Sequence, residues 1–270
     1  MKNKKMLYLG IGALLIVVAV AGGIVWFFSS NSKATDDDTG PQKRRIVEPE
    51  NVIPVSERPV LSIKPEADGR NVTITVSEVK KAATETEYLL EYQTGTLVQA
   101  QQGMIQLASL PVSEKILLGS CSAGGACTYH TDIKGGSLKT RFAGDSEAYA
   151  LKSDWKYIEN TDKDSSFSSR DAFFQIEAEE LATARYLIIF NGSGYPEGLT
   201  EFGEPVSDPY QLETSTAVSG EATLTLRAKE EGELKVLSWD GKTWTEHEGS
   251  VEGKMITATV PLAQLYIAVK

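Results

Sequence analysis

The sequence predicts an all-β ectodomain behind one N-terminal transmembrane helix and a disordered stalk. Three observations predict it. A long unbroken apolar run opens the chain, from Leu7 to Phe28. From Val60 onward apolar residues recur with a period of two, as half-buried strands require. Gly, Pro, Asn and Asp interrupt that pattern at intervals of roughly 8–15 residues, the spacing of an antiparallel sandwich.

The apolar run holds 22 residues without a charge, Asn, Gln or Pro. As a helix it spans roughly 33 Å, against a bilayer core of about 30 Å. Lys2, Lys4 and Lys5 precede it, so residues 1–6 read as a cytoplasmic tail and the C-terminal mass as extracytoplasmic. Trp26 stands where an interfacial aromatic anchor belongs. The alternative is a signal peptide cut after Ala19-Val20-Ala21, which turns a tethered protein into a secreted one.

Residues 29–57 read as a disordered stalk. They hold Asp36-Asp37-Asp38, Gly40-Pro41, Pro49 and Pro54, with no apolar periodicity to bury. The whole chain carries −10, residues 1–6 carry +3 and the stalk −2, which leaves −11 on residues 58–270. So acidic a surface excludes nucleic acid and anionic lipid as natural partners of the ectodomain. It accepts basic proteins and neutral glycans.

The remaining residues divide into a first module, 58–158, a polar linker, 159–172, and a second module, 173–270. In the first, Val72, Ile74 and Val76 alternate with Thr73, Thr75 and Ser77 after an Asp68-Gly69 turn, and Tyr88, Leu90 and Tyr92 alternate likewise. Further strands are expected at 96–99, 104–108, 116–119, 138–142 and 148–151. In the second, 177–185 suits a short helical turn, and 186–190 is a continuous apolar run suited to a strand buried on both faces. A Pro- and Gly-rich loop follows to Pro209. Residues 222–226 and 234–239 alternate, Asp240-Gly241 signals a hairpin, and 255–260 with 265–269 complete the pattern. A two-residue turn would set Trp244 opposite Leu237, on the face of Trp239.

The stretches Arg58-Pro59-Val60-Leu61-Ser62-Ile63, Asn71-Val72-Thr73-Ile74-Thr75-Val76 and Glu87-Tyr88-Leu89-Leu90-Glu91-Tyr92 resemble the opening strands of an immunoglobulin/fibronectin-type module. Tandem modules of this kind on a membrane anchor are similar to bacterial cell-surface proteins. The resemblance covers about 35 residues and implies architecture rather than activity.

Three sets of residues carry candidate chemistry. Cys121 and Cys127, the only cysteines, are separated by five small residues, so an oxidising compartment closes them into a disulfide loop. Trp239 and Trp244, if exposed, offer a platform for a sugar face; their hairpin, Ser238-Trp239-Asp240-Gly241-Lys242-Thr243-Trp244, resembles the Asp-box turn of sialidase-type propellers. Asn160, Asp162, Asp164 and Asp171 fall at positions 1, 3, 5 and 12 of a calcium loop, with Ser165 in place of the turn glycine. Trp155 is expected in the core. No nucleophile elbow, zinc motif or phosphate loop is present. The expected function is therefore a structural, adhesive or binding role at the cell surface, toward a protein or glycan. The alternative is an exported hydrolase, which needs a cleft with two carboxylates about 5–10 Å apart and one raised pKa.

Overall fold

The computed structural model describes residues 48–144 and 147–270. The expected tail 1–6, transmembrane helix 7–28 and stalk as far as residue 47 lie outside the described residues. Among the described residues no helix is long and apolar enough to cross a membrane, and the longest is the five-residue 3-10 helix Glu179–Thr183.

In chain order the strands are β1 (Val60–Pro65), β2 (Asn71–Glu78), β3 (Glu85–Thr94), β4 (Leu97–Gln106), β5 (Val112–Leu117), β6 (Gly119–Cys121), β7 (Cys127–Tyr129), β8 (Ile133–Ala143) and β9 (Tyr149–Glu159). They continue with β10 (Ser166–Ser168), β11 (Phe174–Glu177), β12 (Tyr186–Asn191), β13 (Tyr210–Thr214) and β14 (Glu221–Arg227). The last are β15 (Lys235–Trp239), β16 (Trp244–His247), β17 (Ser250–Glu252), β18 (Met255–Pro261) and β19 (Leu265–Val269). A nine-stranded antiparallel sheet runs β16-β15-β19-β13-β12-β9-β8-β3-β4. A three-stranded sheet, β1-β2-β5, and a five-stranded sheet, β10-β11-β14-β18-β17, complete the layers, and β6 with β7 forms a separate hairpin.

Period-two patterning decides which face each strand presents. In β2, Val72, Ile74 and Val76 are buried and join Leu90, Tyr92, Leu138, Trp155, Ile188 and Phe190 in one core. A second core takes Phe174, Ile176, Leu224 and Leu226 from the five-stranded sheet together with Leu187 and Ile189. Adjacent residues of β12 thus enter different cores. The two covering sheets therefore lie on opposite faces of the long sheet, one toward each end. This is why 186–190 is apolar without alternation.

This arrangement differs from the expected separation at 159–172. β9 and β12 flank that segment and pair directly, from Tyr186 opposite Glu159 to Phe190 opposite Trp155. The segment also contains β10. One sheet is shared by both sandwiches, and residues Glu48–Lys270 form one compact unit.

Offset covering layers leave part of the β15–β19 face bare on the side of the first core. The loop between β12 and β13 fills it. Tyr195 and Leu199 pack there on Leu237, Leu265, Ile267 and Val269, with Val55 alongside. Residues 48–57, expected as the end of the stalk, are docked too. Glu50 bridges Ala150, and the Asn51 side chain donates to Lys152 O at 2.8 Å and accepts its N–H at 3.0 Å. β12 ends opposite Trp155, so the first half of β9 has an open edge for this segment to fill. Charge assists: Glu48 meets Arg141 at 2.9 Å and Glu50 meets Lys139 at 2.7 Å.

Candidate ligand-binding cleft

Cys121 and Cys127 are disulfide-bonded, directly opposite one another in the β6–β7 hairpin. The hairpin is exposed, apart from Gly119 at its base, where a Cβ would stand 2.4 Å from Thr128 O. The chain leaves it through Tyr129, His130, Thr131 and Asp132 and enters β8.

Those residues form one wall of a cleft of about 320 Å³. The Asp68-Gly69-Arg70 turn between β1 and β2 forms a second, and Tyr157, Glu159 and Tyr186 on the paired strands β9 and β12 form the floor. The Tyr129 ring is 41% exposed, with the Arg70 guanidinium 4.3 Å from its centroid. Tyr157 and Tyr186 lie 5.9 Å apart, tilted by 38°. The Tyr157 hydroxyl donates to Gly69 O at 3.3 Å, and burial pushes its pKa up. Gly69 has φ +66°, and a Cβ there would meet the Tyr186 ring at 2.3 Å, so the turn must be glycine to admit the tyrosine.

Polar groups ring the aromatics. Burial works against the Asp68 carboxylate, but donors from Arg70 N–H at 2.8 Å and Asn71 Nδ2 at 2.9 Å hold its pKa below the usual value. Asp132 pairs with Lys134, and Glu159 accepts from Arg185 at 2.6 Å. His130 Nδ1 lies 2.9 Å from the Tyr92 hydroxyl, which anchors this wall to the core. The exposed Tyr129 beside fixed carboxylates and a guanidinium suits a polyhydroxylated ligand: a C–H face rests on its ring, and hydroxyls donate to the carboxylates, while Tyr157 below is buried. Three carboxylates disfavour an anionic one.

The tryptophans are placed differently from the expected platform. They pair directly across a four-residue loop, not the expected two-residue turn, because Asp240 Oδ1 accepts both Lys242 N–H and Thr243 N–H at 2.8 Å. Both face the cluster under the β12–β13 loop. Trp244 is 9% exposed and its indole N–H donates to Glu197 O at 3.0 Å; Trp239 is half-buried, 5.2 Å from it. Their rings serve packing rather than a sugar face.

The calcium positions are not brought together. Asn160 is buried, its amide donating to Asp164 O and Leu181 O and its oxygen accepting Asp164 N–H. Asp171 is engaged elsewhere, by Ser169, Phe173 N–H, Asn191 and the Tyr210 hydroxyl. Asp162 and Asp164 are exposed. Among the described residues no group of three His, Cys, Asp or Glu side chains could hold a metal ion.

A second cleft, of about 740 Å³, lies between the end of β2 and the β12–β13 loop, lined by Glu78, Lys80, Tyr195 and Glu197 among others. Burial raises the Glu78 pKa, Lys80 opposes the shift and Glu197 adds to it. Lys80 donates to Tyr195 O at 2.6 Å and stands 4.5 Å from that ring's centroid.

Comparison with protein-family models finds no match, and a search of curated proteins finds no relative.

Proposed function

We propose that the protein is a single-pass, N-terminally anchored cell-surface protein whose extracytoplasmic β-sandwich modules, of the immunoglobulin/fibronectin kind, bind a neutral glycan. The observation that carries the binding role is the tyrosine-lined cleft of Tyr129, Tyr157 and Tyr186, flanked by Asp68, Asp132 and Arg70 beside the disulfide hairpin. The anchor and orientation rest on residues 7–28 and the lysines before them. The disulfide and the acidic surface agree with export.

Titration calorimetry of the full chain in detergent, against uncharged oligosaccharides such as glucan, mannan and chitin fragments, tests this. Binding to at least one is expected, with Tyr129→Ala lowering affinity about tenfold or more, the worth of a lost stacking platform. Binding to none, or an unchanged Tyr129→Ala protein, overturns it. Protease added to intact cells should remove the folded domain; full protection would refute the orientation.

A second reading, an exported hydrolase, draws on the raised Glu78 carboxyl beside Glu197. It requires turnover of a polysaccharide that Glu78→Gln abolishes. Lys80 between the two acids works against it by neutralising one charge of the pair.

A further inference from the structure

We infer that two copies of this chain pair through strand β4, edge to edge and antiparallel, joining their nine-stranded sheets into one. The other edges among the described residues are blunted as natural edges are. β6, β7, β10 and β17 have three residues and β16 four; β1 carries Lys64 and Pro65, and β5 carries Glu114 and Lys115. β4 has ten residues, Leu97-Val98-Gln99-Ala100-Gln101-Gln102-Gly103-Met104-Ile105-Gln106, without a charge or a proline. Its backbone pairs with β3 alone among the described strands, while the Gln101 side chain reaches inward to donate to Gly119 O of β6 at 2.7 Å. Leu97, Val98 and Met104 stand 62%, 72% and 55% exposed on it.

The ladder defines which groups are free. Leu107 N–H, just beyond β4, donates to Thr84 O directly opposite, so odd-numbered residues of this strand point their amides and carbonyls toward β3. Val98, Ala100, Gln102, Met104 and Gln106 point theirs outward. An antiparallel twofold centred on Gln101 sets Val98 against Met104 of the other copy and Ala100 against Gln102, each pair exchanging two hydrogen bonds. The two most exposed apolar side chains on the outer face then cover one another, which is how a buried face selects register. β4 itself carries no charged side chain, so no two like charges stand opposite one another on the paired strands.

Sedimentation of the full chain in detergent tests the pairing. Wild type is expected as a dimer, Val98→Lys/Met104→Lys as a monomer, and Val98→Lys/Met104→Glu as a dimer again, because lysine then faces glutamate across the seam. A monomeric wild type, or three proteins with the same assembly state, overturns the inference. So does failure of the lysine–glutamate variant to re-pair. Independently, Gln101→Cys on the twofold should oxidise to a covalent dimer; cross-linking through Gln102→Cys instead would refute this register. The inference stands apart from glycan binding, since a dimer that binds no oligosaccharide, or a monomer that does, separates the two.

Discussion

Glu213 on β13 shows how a single residue is decided by its neighbours. It points to the side of the first core, like Gln211, where β1 crosses the long sheet. Burial pushes its carboxyl pKa up to about 7, and Lys64 of β1 only partly opposes this. The usual value is 4.5, so between these two pH values the unfolded chain gives up a proton that the folded one keeps. Stability should therefore be full below about pH 4.5, fall as pH rises, and level off above about pH 7, losing up to about 3 kcal/mol. Urea melts across this range check it, and Glu213→Gln should remove the slope and gain most at about pH 8. Nothing in the sequence singles out Glu213 among the acids. Trp155 was legible: it is fully buried, donates to Glu91 O at 3.2 Å, and its replacement by alanine should cost about 3–5 kcal/mol. Trp239 and Trp244 were legible as sharing one face, but their cover is a loop some forty residues earlier (Trp244 to Glu197, 47 apart).

Individual elements follow local rules more closely. β2, β3, β12, β14 and β15 fall where alternation or a solid apolar run places them, because a period of two is a property of the strand itself. The expected pieces 96–99 and 104–108 prove to be one strand, β4, since its middle is glutamine and glycine and carries no apolar signal. The β6–β7 hairpin is closed by a loop so short that its disulfide removes little chain entropy. Cys121→Ser/Cys127→Ser should cost at most about 2 kcal/mol of stability. It should nonetheless weaken glycan binding, because Tyr129 and His130 leave directly from that hairpin. Unchanged affinity in calorimetry would show that the hairpin does not position the cleft. Gly136 of β8 is a stricter constraint: a Cβ there would stand 2.1 Å from the backbone Glu91 O of β3. Gly136→Ala should destabilise by about 1–3 kcal/mol, read as a lower melting temperature.

For the whole molecule, the shared sheet ties the two sandwiches together. β12 contributes Ile188 and Phe190 to one core and Leu187 and Ile189 to the other, so neither core survives loss of that strand. Calorimetry should record one cooperative transition for the folded domain, and Ile189→Ala should lower it as a unit, by about 2–5 kcal/mol. Two separated transitions would indicate independent modules. The candidate cleft has the same origin. Its residues come from the β1–β2 turn, the hairpin exit, β9 and β12, so no spacing in the chain announces it. Asp68-Gly69 was readable as a turn, and Gly69 as glycine, but not the tyrosine that requires it.

The sequence by itself determined the apolar start, the acidic balance of residues 58–270, the all-β class, the face each regular strand buries and the closure of the only two cysteines. Each of these depends on composition or on neighbours within a few residues. The tertiary structure alone decided that the sandwiches share one sheet, that residues 48–57 dock on β9, that the tryptophans pack inward and that three tyrosines open a cleft. Alternation tells a strand which side to bury but not which strand to pair with. That choice depends on contacts between residues a hundred or more apart, such as Gln211 donating to Leu61 O.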